Sequence, residues 1–419
     1  MGGRGVSPPL LLRTGGDRAD LAVTLQQAWD AGQTVAIAAP EEADLLGTAL
    51  PAQTPPAWGA AVVLGTGGSS GGRRWCVQPL AHLQVAVAGT AQWLQALGLQ
   101  PAQLELFNPL PLHHVSGLMP LLRARAWGAE LRWLPPAWMR EPEQLMAEAS
   151  PATPDRAVLS LVPTQLQRLV DVPAGIRWLE RFALIWVGGA ALPPALAQRC
   201  RALGIRLSPC YGSTETGAMV MALQPQHFLA RAEGCGGALP HVQLRVEPGS
   251  GALQIKAASL ALGMLQQGEL EPLPLDQGWW SSGDRAALGP EGWQLLGRLD
   301  GAIHSGGETV FPEQVEQRLL ELARAQGLPV EDLLVLPEHD PLWGERLVAL
   351  VKPEAGIDAG EAALWQSLQT LALTLPPSQR PRRWLPCTEL QRSPLGKWER
   401  RRWSQWLSSQ SASQPAPER

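Results

Sequence analysis

The sequence predicts an α/β protein: a large N-terminal domain of parallel-sheet α/β units with a small β-rich part at its end, then a small α+β C-terminal domain. Three observations carry this. Between Ala60 and Pro209, short apolar runs alternate with helical patterns closed by glycine, as when strands cross to helices around a parallel sheet. From about Gly234 the pattern changes to apolar runs flanking Glu247-Pro248-Gly249-Ser250-Gly251 and Gly289-Pro290-Glu291-Gly292, both hairpin signals. Beyond Gly301, helical and strand patterns return, and 419 residues suffice for two or three domains. The expected division is 1–299 for the large domain, with its β-rich part at about 234–299, and 302–406 for the small one. Residues 300–301 lie between them, and 407–419 form a Ser/Gln/Pro-rich tail expected to be disordered.

In chain order, Leu21 to Ala31 predicts a helix and Thr34 to Ala39 a strand. Ala60 to Leu64 reads as a buried strand running into a glycine-rich loop, Leu64 to Trp75, which carries Thr66, Gly68, Ser69, Ser70, Gly71 and Arg74. Glycines let several N–H groups converge on one concavity, and hydroxyls and arginines add donors, so the loop suits a phosphate chain; a flexible linker is the plain alternative. Leu80, Leu83, Val87, Leu94 and Leu97 recur at helical spacing up to Gly98. Leu104 to Leu112 is strand-like and leads into His113-His114-Val115-Ser116-Gly117, then a helix Leu118 to Trp127. Glu130 to Leu134, Ala157 to Val162, Phe182 to Val187 and Ile205 to Pro209 read as strands. The last two deliver Gly188-Gly189-Ala190 and Tyr211-Gly212-Ser213-Thr214-Glu215. Polar clusters that follow strands in this way sit where such sheets bind ligands. In the last domain, Pro312 to Arg324 and Ala359 to Leu373 predict helices, and Leu333 to Leu336 and Leu347 to Val351 strands. Pro394-Leu395-Gly396-Lys397 precedes a basic helix.

Composition narrows the function. A net charge of −4 gives no reason to expect nucleic acid or an anionic membrane as partner. Five scattered cysteines without a Cys-x-x-Cys pair fit a reducing cytosol and argue against structural zinc. No apolar run is long enough to span a bilayer, and the N-terminus shows no signal-peptide pattern, so a cytoplasmic protein is expected. With three lysines against 31 arginines and a single tyrosine, Lys397 and Tyr211 fall inside motifs where chance alone rarely puts them.

Taken together, these motifs resemble those of the adenylate-forming acyl-CoA synthetases, in the family's order, over roughly residues 60 to 400. Thr66–Arg74 matches the phosphate loop, Gly188-Gly189-Ala190 the adenine-side motif, and Tyr211–Glu215 the Tyr-Gly-x-Thr-Glu motif. Asp284 in Ser282-Gly283-Asp284 matches the ribose aspartate, and Gly297-Arg298-Leu299-Asp300 the hinge. Ser305-Gly306-Gly307-Glu308 matches the thiol-tunnel loop, and Lys397 the catalytic lysine. His114–Leu118, Val162–Leu166 and the short length place the resemblance among ligases of aryl and short acyl acids. The resemblance implies ATP, Mg²⁺ and CoA as cofactor and substrates, a small-molecule acid, and a small domain that is mobile about Asp300. It implies that Lys397, Thr214, Glu215 and Arg298 act in catalysis, with Glu215 on Mg²⁺, and that Tyr211, Gly212 and Asp284 hold adenosine. His114, Ser116 and Thr164 fall on the acyl side, and Gly306, Gly307 and Glu308 on the CoA tunnel. The chain departs from the pattern at Arg74, where a lysine is usual, and at Gly301, where a second aspartate is usual.

Each residue alone has a plainer role: Glu215 as a helix N-terminal charge, Asp284 as a turn residue, Lys397 as a solvated lysine, Tyr211 as core, His114 as a satisfied structural histidine. A non-catalytic nucleotide-binding relative, or an adenylation domain that loads a carrier protein, are the competing functions.

Overall fold

The computed structural model describes residues 7–67, 73–354, 356, 362–393 and 396–412. Four sheets organise the chain. The first, of six strands, runs Leu10–Arg13, Val35–Ala38, Ala61–Gly67, Arg73–Pro79, Gly263–Gln266, Glu269–Pro272. Its first three strands are parallel and the rest antiparallel. The second, of seven strands, runs Gly237–Ala238, Ala218–Ala222, Leu207–Ser213, Leu184–Val187, Ala157–Leu161, Glu105–Asn108, Glu130–Trp133. Its last five are parallel. They read as continuous apolar runs because both faces are covered. One face packs on the helices Pro163–Val170, Pro173–Leu179 and Pro194–Ala202, through Leu159, Ile185, Leu166, Trp178 and Cys200. On the other side, Leu80–Ala96 and Val115–Trp127 are wedged between the two sheets by Leu83, Val87, Leu118, Met119, Leu64 and Ile37.

The third sheet is built from Val242–Val246, Ala252–Ala257, Leu275–Asp276, Trp279–Gly289 and Gly292–Arg298. Both expected hairpins are present in it. The expectation that 234–299 forms a β-rich part of its own needs correcting, however. Gly263–Gln266 pairs with Arg73–Pro79 and carries Glu269–Pro272 into the first sheet, while Gly237–Ala238 pairs with the second. Strand pairing between distant segments leaves no local trace in a sequence. The fourth sheet belongs to the small C-terminal domain: Glu308–Val310, Ile303–Ser305, Gly344–Pro353, Val330–Asp340, with Arg383–Pro386 alongside Gly344–Pro353. The helices Pro312–Ala325 and Ala362–Ala372 cover one face and Arg400–Ala412 the other. That last helix corrects the expected tail from 407: Trp403 and Leu407 are buried against Leu334, Leu350 and Cys387, so the chain stays helical to Ala412.

Two of the expected loops are also strands. Arg73–Trp75 belong to the strand Arg73–Pro79, which pairs antiparallel with Ala61–Gly67 with Thr66 opposite Arg74. Tyr211-Gly212-Ser213 ends a strand that folds back on Ala218–Ala222. Glycine is required at 212 by close approach: a Cβ there would lie 1.8 Å from the Ala218 carbonyl oxygen. Among the described residues no helix is long and apolar enough to cross a membrane.

Candidate active site

The site lies where strands of the first three sheets end. The hairpin tip that follows Ser213 is held by its own backbone and by neighbours. Ser213 N–H donates to Thr216 Oγ1 at 2.9 Å, and the Thr216 hydroxyl donates to the Ala218 carbonyl at 2.6 Å. From outside, Gln78 Nε2 donates to the Thr214 carbonyl at 2.6 Å, Ser259 Oγ to the Thr216 carbonyl at 2.9 Å, and Ala261 N–H to the Glu215 carbonyl at 2.8 Å. With its carbonyls tied down, the tip presents Thr214 and Glu215 in fixed positions, both buried. Thr66 Oγ1 donates to Glu215 Oε1 at 3.4 Å, which joins the hairpin of the glycine-rich stretch to this tip. Gly68, Ser69, Ser70 and Gly71 lie outside the described residues. Glu215 with the adjacent Thr66 hydroxyl fits Mg²⁺, an ion that keeps most of its waters and takes one or two carboxylates plus phosphate oxygens. Among the described residues no cluster of three or more His, Cys, Asp or Glu side chains could hold a metal without such help.

A second group forms one step away. Tyr211 OH donates to Asp284 Oδ2 at 2.5 Å, and Asp284 N–H donates to Ser282 Oγ at 3.1 Å. Asp284 lies opposite Arg298 on the neighbouring strand, and Arg298 Nη1 comes within 3.5 Å of Asp284 Oδ2. Arg298 also donates from Nη1 to the Ser282 carbonyl at 3.0 Å. It forks onto Asp300 from Nε and Nη2 at 3.0 and 2.9 Å. That fork, above all, raises the arginine's pKa, against its burial. Burial, then Asp284, raises the Tyr211 phenol well above its ordinary value, so it stays a donor. Burial also pushes the Asp284 carboxyl up, against the pull of Tyr211 and Arg298. Gly188 sits beside Cys210, its added Cβ falling 2.8 Å from Cys210 Sγ, and Gly189 faces Val162. Gly188, Gly189, Ala190 and Tyr211 thus line neighbouring strand ends.

The sign of the Asp284 shift gives a testable result. As a paired acceptor for ribose hydroxyls Asp284 would have to be ionised, and its raised pKa means that the carboxylate is lost earlier on acidification than for an ordinary aspartate. Adenosine affinity measured by calorimetry from pH 7 down to pH 4.5 is expected to fall as Asp284 takes up its proton, and to be flat in Asp284→Asn. For folding the sign is opposite: the buried carboxylate adds nothing against stability below its ordinary pKa and its full penalty only above the raised one.

The acyl side is marked by the helix Val115–Trp127 and the turn bearing Lys397. His114 precedes the helix, its ring 4.4 Å from that of His113, whose Nδ1 meets Thr14 Oγ1 at 2.6 Å. Ser116 is half-buried in the first turn. Thr164 opens the helix Pro163–Val170, and its Oγ1 is buried with no hydrogen-bond partner among the described residues. Gly396 packs directly against it: a Cβ on Gly396, whose φ is +76°, would come within 2.7 Å of Thr164 Cγ2. The small domain therefore lays the Lys397 turn against the large one at this point, and Lys397 itself is exposed. Pro394 and Leu395 lie outside the described residues. Gly306, Gly307 and Glu308 are not brought to this group. Gly306 lies on the Trp343 ring and Glu308 Oε2 accepts from Ser378 Oγ at 2.5 Å, both within the small domain.

Sequence reasoning missed Arg123. It is 3% exposed, its guanidinium lies 4.7 Å over the Trp186 ring, and its Nε has no hydrogen-bond partner among the described residues. Burial pushes its pKa down to about 10. Its charge acts on Cys210, the neighbour of Gly188, and on His241, whose two ring nitrogens are also buried without partners. Burial, with Arg123, lowers His241 to about 4, so it is neutral near pH 7. The available signal was periodicity: Arg123 falls four residues after Met119 and beside Leu122, on the apolar face of its helix.

A paired-acceptor group, a fixed Thr–Glu tip and a lysine turn from a second domain, gathered at strand ends, define a nucleotide-binding α/β protein of two domains. The chain belongs to the AMP-binding enzyme family, whose pattern matches residues 11–256. It is similar to a 2-succinylbenzoate–CoA ligase of Salmonella typhimurium, at 32% identity over 78% of this chain. The match spans 66% of that relative's length, and less of the next such ligases, so the chain covers no more than two thirds of them. Among solved structures it resembles Escherichia coli MenE with a bound phenylether-linked analogue of OSB-AMS, at 25% identity and TM-score 0.67, covering 97% of this chain and 90% of that one. The fold is shared with o-succinylbenzoate CoA synthetase from Bacillus subtilis in complex with the acyl-adenylate OSB-AMP, at 19% identity and TM-score 0.73, covering 95% and 88%.

Proposed function

We propose that the protein is an o-succinylbenzoate–CoA ligase, an acid–thiol ligase of menaquinone or phylloquinone biosynthesis. It would adenylate the acid with ATP and then pass the acyl group to CoA. The narrower sequence likeness rests on His114–Leu118 and Val162–Leu166, and the relatives named above carry the same activity in their names. The observation that carries the choice of acid is Arg123: a buried, unneutralised guanidinium behind the Gly188 strand end suits an acid with a second carboxylate.

Adenylation brings two anions together, the acyl carboxylate and the α-phosphate, so it needs fixed positive charge and donors at the phosphates. Thr66 and Arg74 would hold the β- and γ-phosphates together with Ser69 and Ser70. Glu215 would hold Mg²⁺, which supplies further charge neutralisation when bound. Thr214 would donate to the α-phosphate, and Lys397, a point charge on a flexible stem, would lie between it and the acyl carboxylate. Asp284 would accept from the ribose, with Tyr211 beside the adenine, and Thr164, Ser116 and His114 would contact the acid. The small domain, from 302, would then turn about Asp300 and Gly301 and bring Gly306, Gly307 and Glu308 to the thioester step. Arg298 grips Asp300, so that fork is where the turn would begin. The reaction uses cytoplasmic ATP and CoA, and we place the protein there.

Pyrophosphate release with ATP, Mg²⁺ and o-succinylbenzoate, with and without CoA and against benzoate and a short fatty acid, tests this. Selective, CoA-dependent turnover of o-succinylbenzoate is expected. Turnover of another acid alone would keep the chemistry and move the substrate. Adenosine-nucleotide binding without turnover of any acid would point to a non-catalytic relative.

A further inference from the structure

Glu316 lies on the inner face of the helix Pro312–Ala325 and is 6% exposed. A carboxylate taken out of water needs partners for its lone pairs. Its side-chain partners come from one short stretch of chain. Trp398 Nε1–H donates to Oε1 at 2.5 Å, and Arg400 Nη2 donates to Oε2 at 3.0 Å. Arg392 Nη2 stands 3.7 Å from Oε1. The Val335 N–H completes the set at 3.2 Å. Arg392 is also gripped by Asp332, from Nε to Oδ2 at 2.8 Å and from Nη2 to Oδ1 at 3.0 Å, and its guanidinium lies 4.1 Å over the Trp398 ring.

These partners bracket one turn. Arg392 stands immediately before Ser393 and Trp398 immediately after Lys397. The turn closes on itself: Ser393 N–H donates to the Lys397 carbonyl and Gly396 N–H to the Ser393 carbonyl, both at 2.8 Å. Both legs of the turn are thus tied at their base to the same buried carboxylate, while Gly396, next to Lys397, packs against Thr164. Stability alone is a poor reason for such an arrangement, since buried ion pairs barely offset their desolvation and apolar replacements often do as well. Location is a better one. A lysine ammonium on a four-carbon stem can swing through many ångströms, so its backbone must be held if its charge is to arrive between two reacting anions.

We propose that Glu316 is a positioning residue for Lys397: by gathering Arg392, Trp398 and Arg400, it fixes the turn that presents the lysine for adenylation. The inference rests on the adenylating role read for Lys397, and its test has one arm that does not. With only three lysines in the chain, peptide-resolved labelling by acetic anhydride reports Lys397 separately from Lys256 in the large domain. In Glu316→Gln, which keeps the shape but removes the charge, Lys397 labelling is expected to change at least about three-fold against wild type with Lys256 unchanged. Pyrophosphate release at saturating ATP and acid is expected to fall about ten-fold or more, with KM for ATP and thioester formation from supplied acyl-adenylate each within about two-fold. Trp398→Phe, which deletes one donor and keeps the ring under Arg392, is expected to move both readouts the same way by less, and it carries the test should Glu316→Gln not fold. Unchanged Lys397 labelling, unchanged pyrophosphate release, or an equal fall in both half-reactions would each overturn the proposal. Should the wild type adenylate no acid at all, the functional reading fails, while the labelling still decides whether Glu316 holds the turn.

Discussion

Lys397→Ala is expected to lose pyrophosphate release by about 10²- to 10³-fold, the range seen when one preorganised charge or donor is removed from a developing transition state. The loss should appear in kcat and kcat/KM alike, because the ammonium is needed most when the acyl oxygen and α-phosphorus come together. Thioester formation from supplied acyl-adenylate should survive within a few-fold, since in that step the small domain would present Gly306, Gly307 and Glu308 instead. Lys397 is exposed, so thermal unfolding should shift by no more than about 0.5 kcal/mol allows. Lys397→Arg should recover little: a planar fork needs a different approach from a point charge, and the close packing of Gly396 on Thr164 leaves the turn little room to retreat. An equal loss of both half-reactions would show that one fixed arrangement serves both steps, and the domain rotation about Asp300 would then have no support.

How much of this was legible beforehand depended on the range of the interaction. Alternating apolar runs and glycine stops placed the parallel strands of the second sheet and their helices within a few residues, because periodicity is written locally. The order of motifs along the chain singled out Thr214, Glu215, Asp284 and Lys397 as candidates. Their mutual geometry was not legible, because Asp284 meets Arg298 across a hairpin of the third sheet but meets Tyr211 only when that sheet and the second come together. The same limit hid the pairing of Gly263–Gln266 with Arg73–Pro79. The end of the last helix is not legible locally, because Ser408, Ser409 and Gln410 look like a tail, whereas Trp403 and Leu407 anchor that stretch from its apolar side. Glu316 looked like any glutamate of an amphipathic helix, since nothing local announces that two arginines and an indole from 76 to 84 residues away will close on it.

Arg123 is the clearest case of a candidate functional group hidden in an apolar pattern, and its replacement should separate two quantities that usually move together. A buried arginine with no ion-pair partner among the described residues and an unpartnered Nε is a liability to the fold, because its desolvation is poorly offset. Arg123→Met keeps much of the length and packing on Trp186 while removing the charge. Its unfolding temperature is therefore expected to rise, or at least not to fall. Its KM for o-succinylbenzoate should rise about 10²-fold or more, the scale for losing one partner of a desolvated carboxylate–guanidinium pair. A monocarboxylic aryl acid has nothing to offer Arg123, so its turnover should be unchanged or improved, and the ratio of the two specificities is the sensitive measure. His241 stands within the field of that guanidinium with two unpartnered ring nitrogens, and near pH 7 it is neutral, so it can donate one N–H beside the arginine without adding charge. An o-succinylbenzoate KM unmoved by Arg123→Met would remove the reason for preferring a dicarboxylic acid and return the choice to the other aryl and short acyl acids. A raised KM combined with a stabler fold would mean that the protein bears an unfavourable buried charge in its free state because the substrate neutralises it.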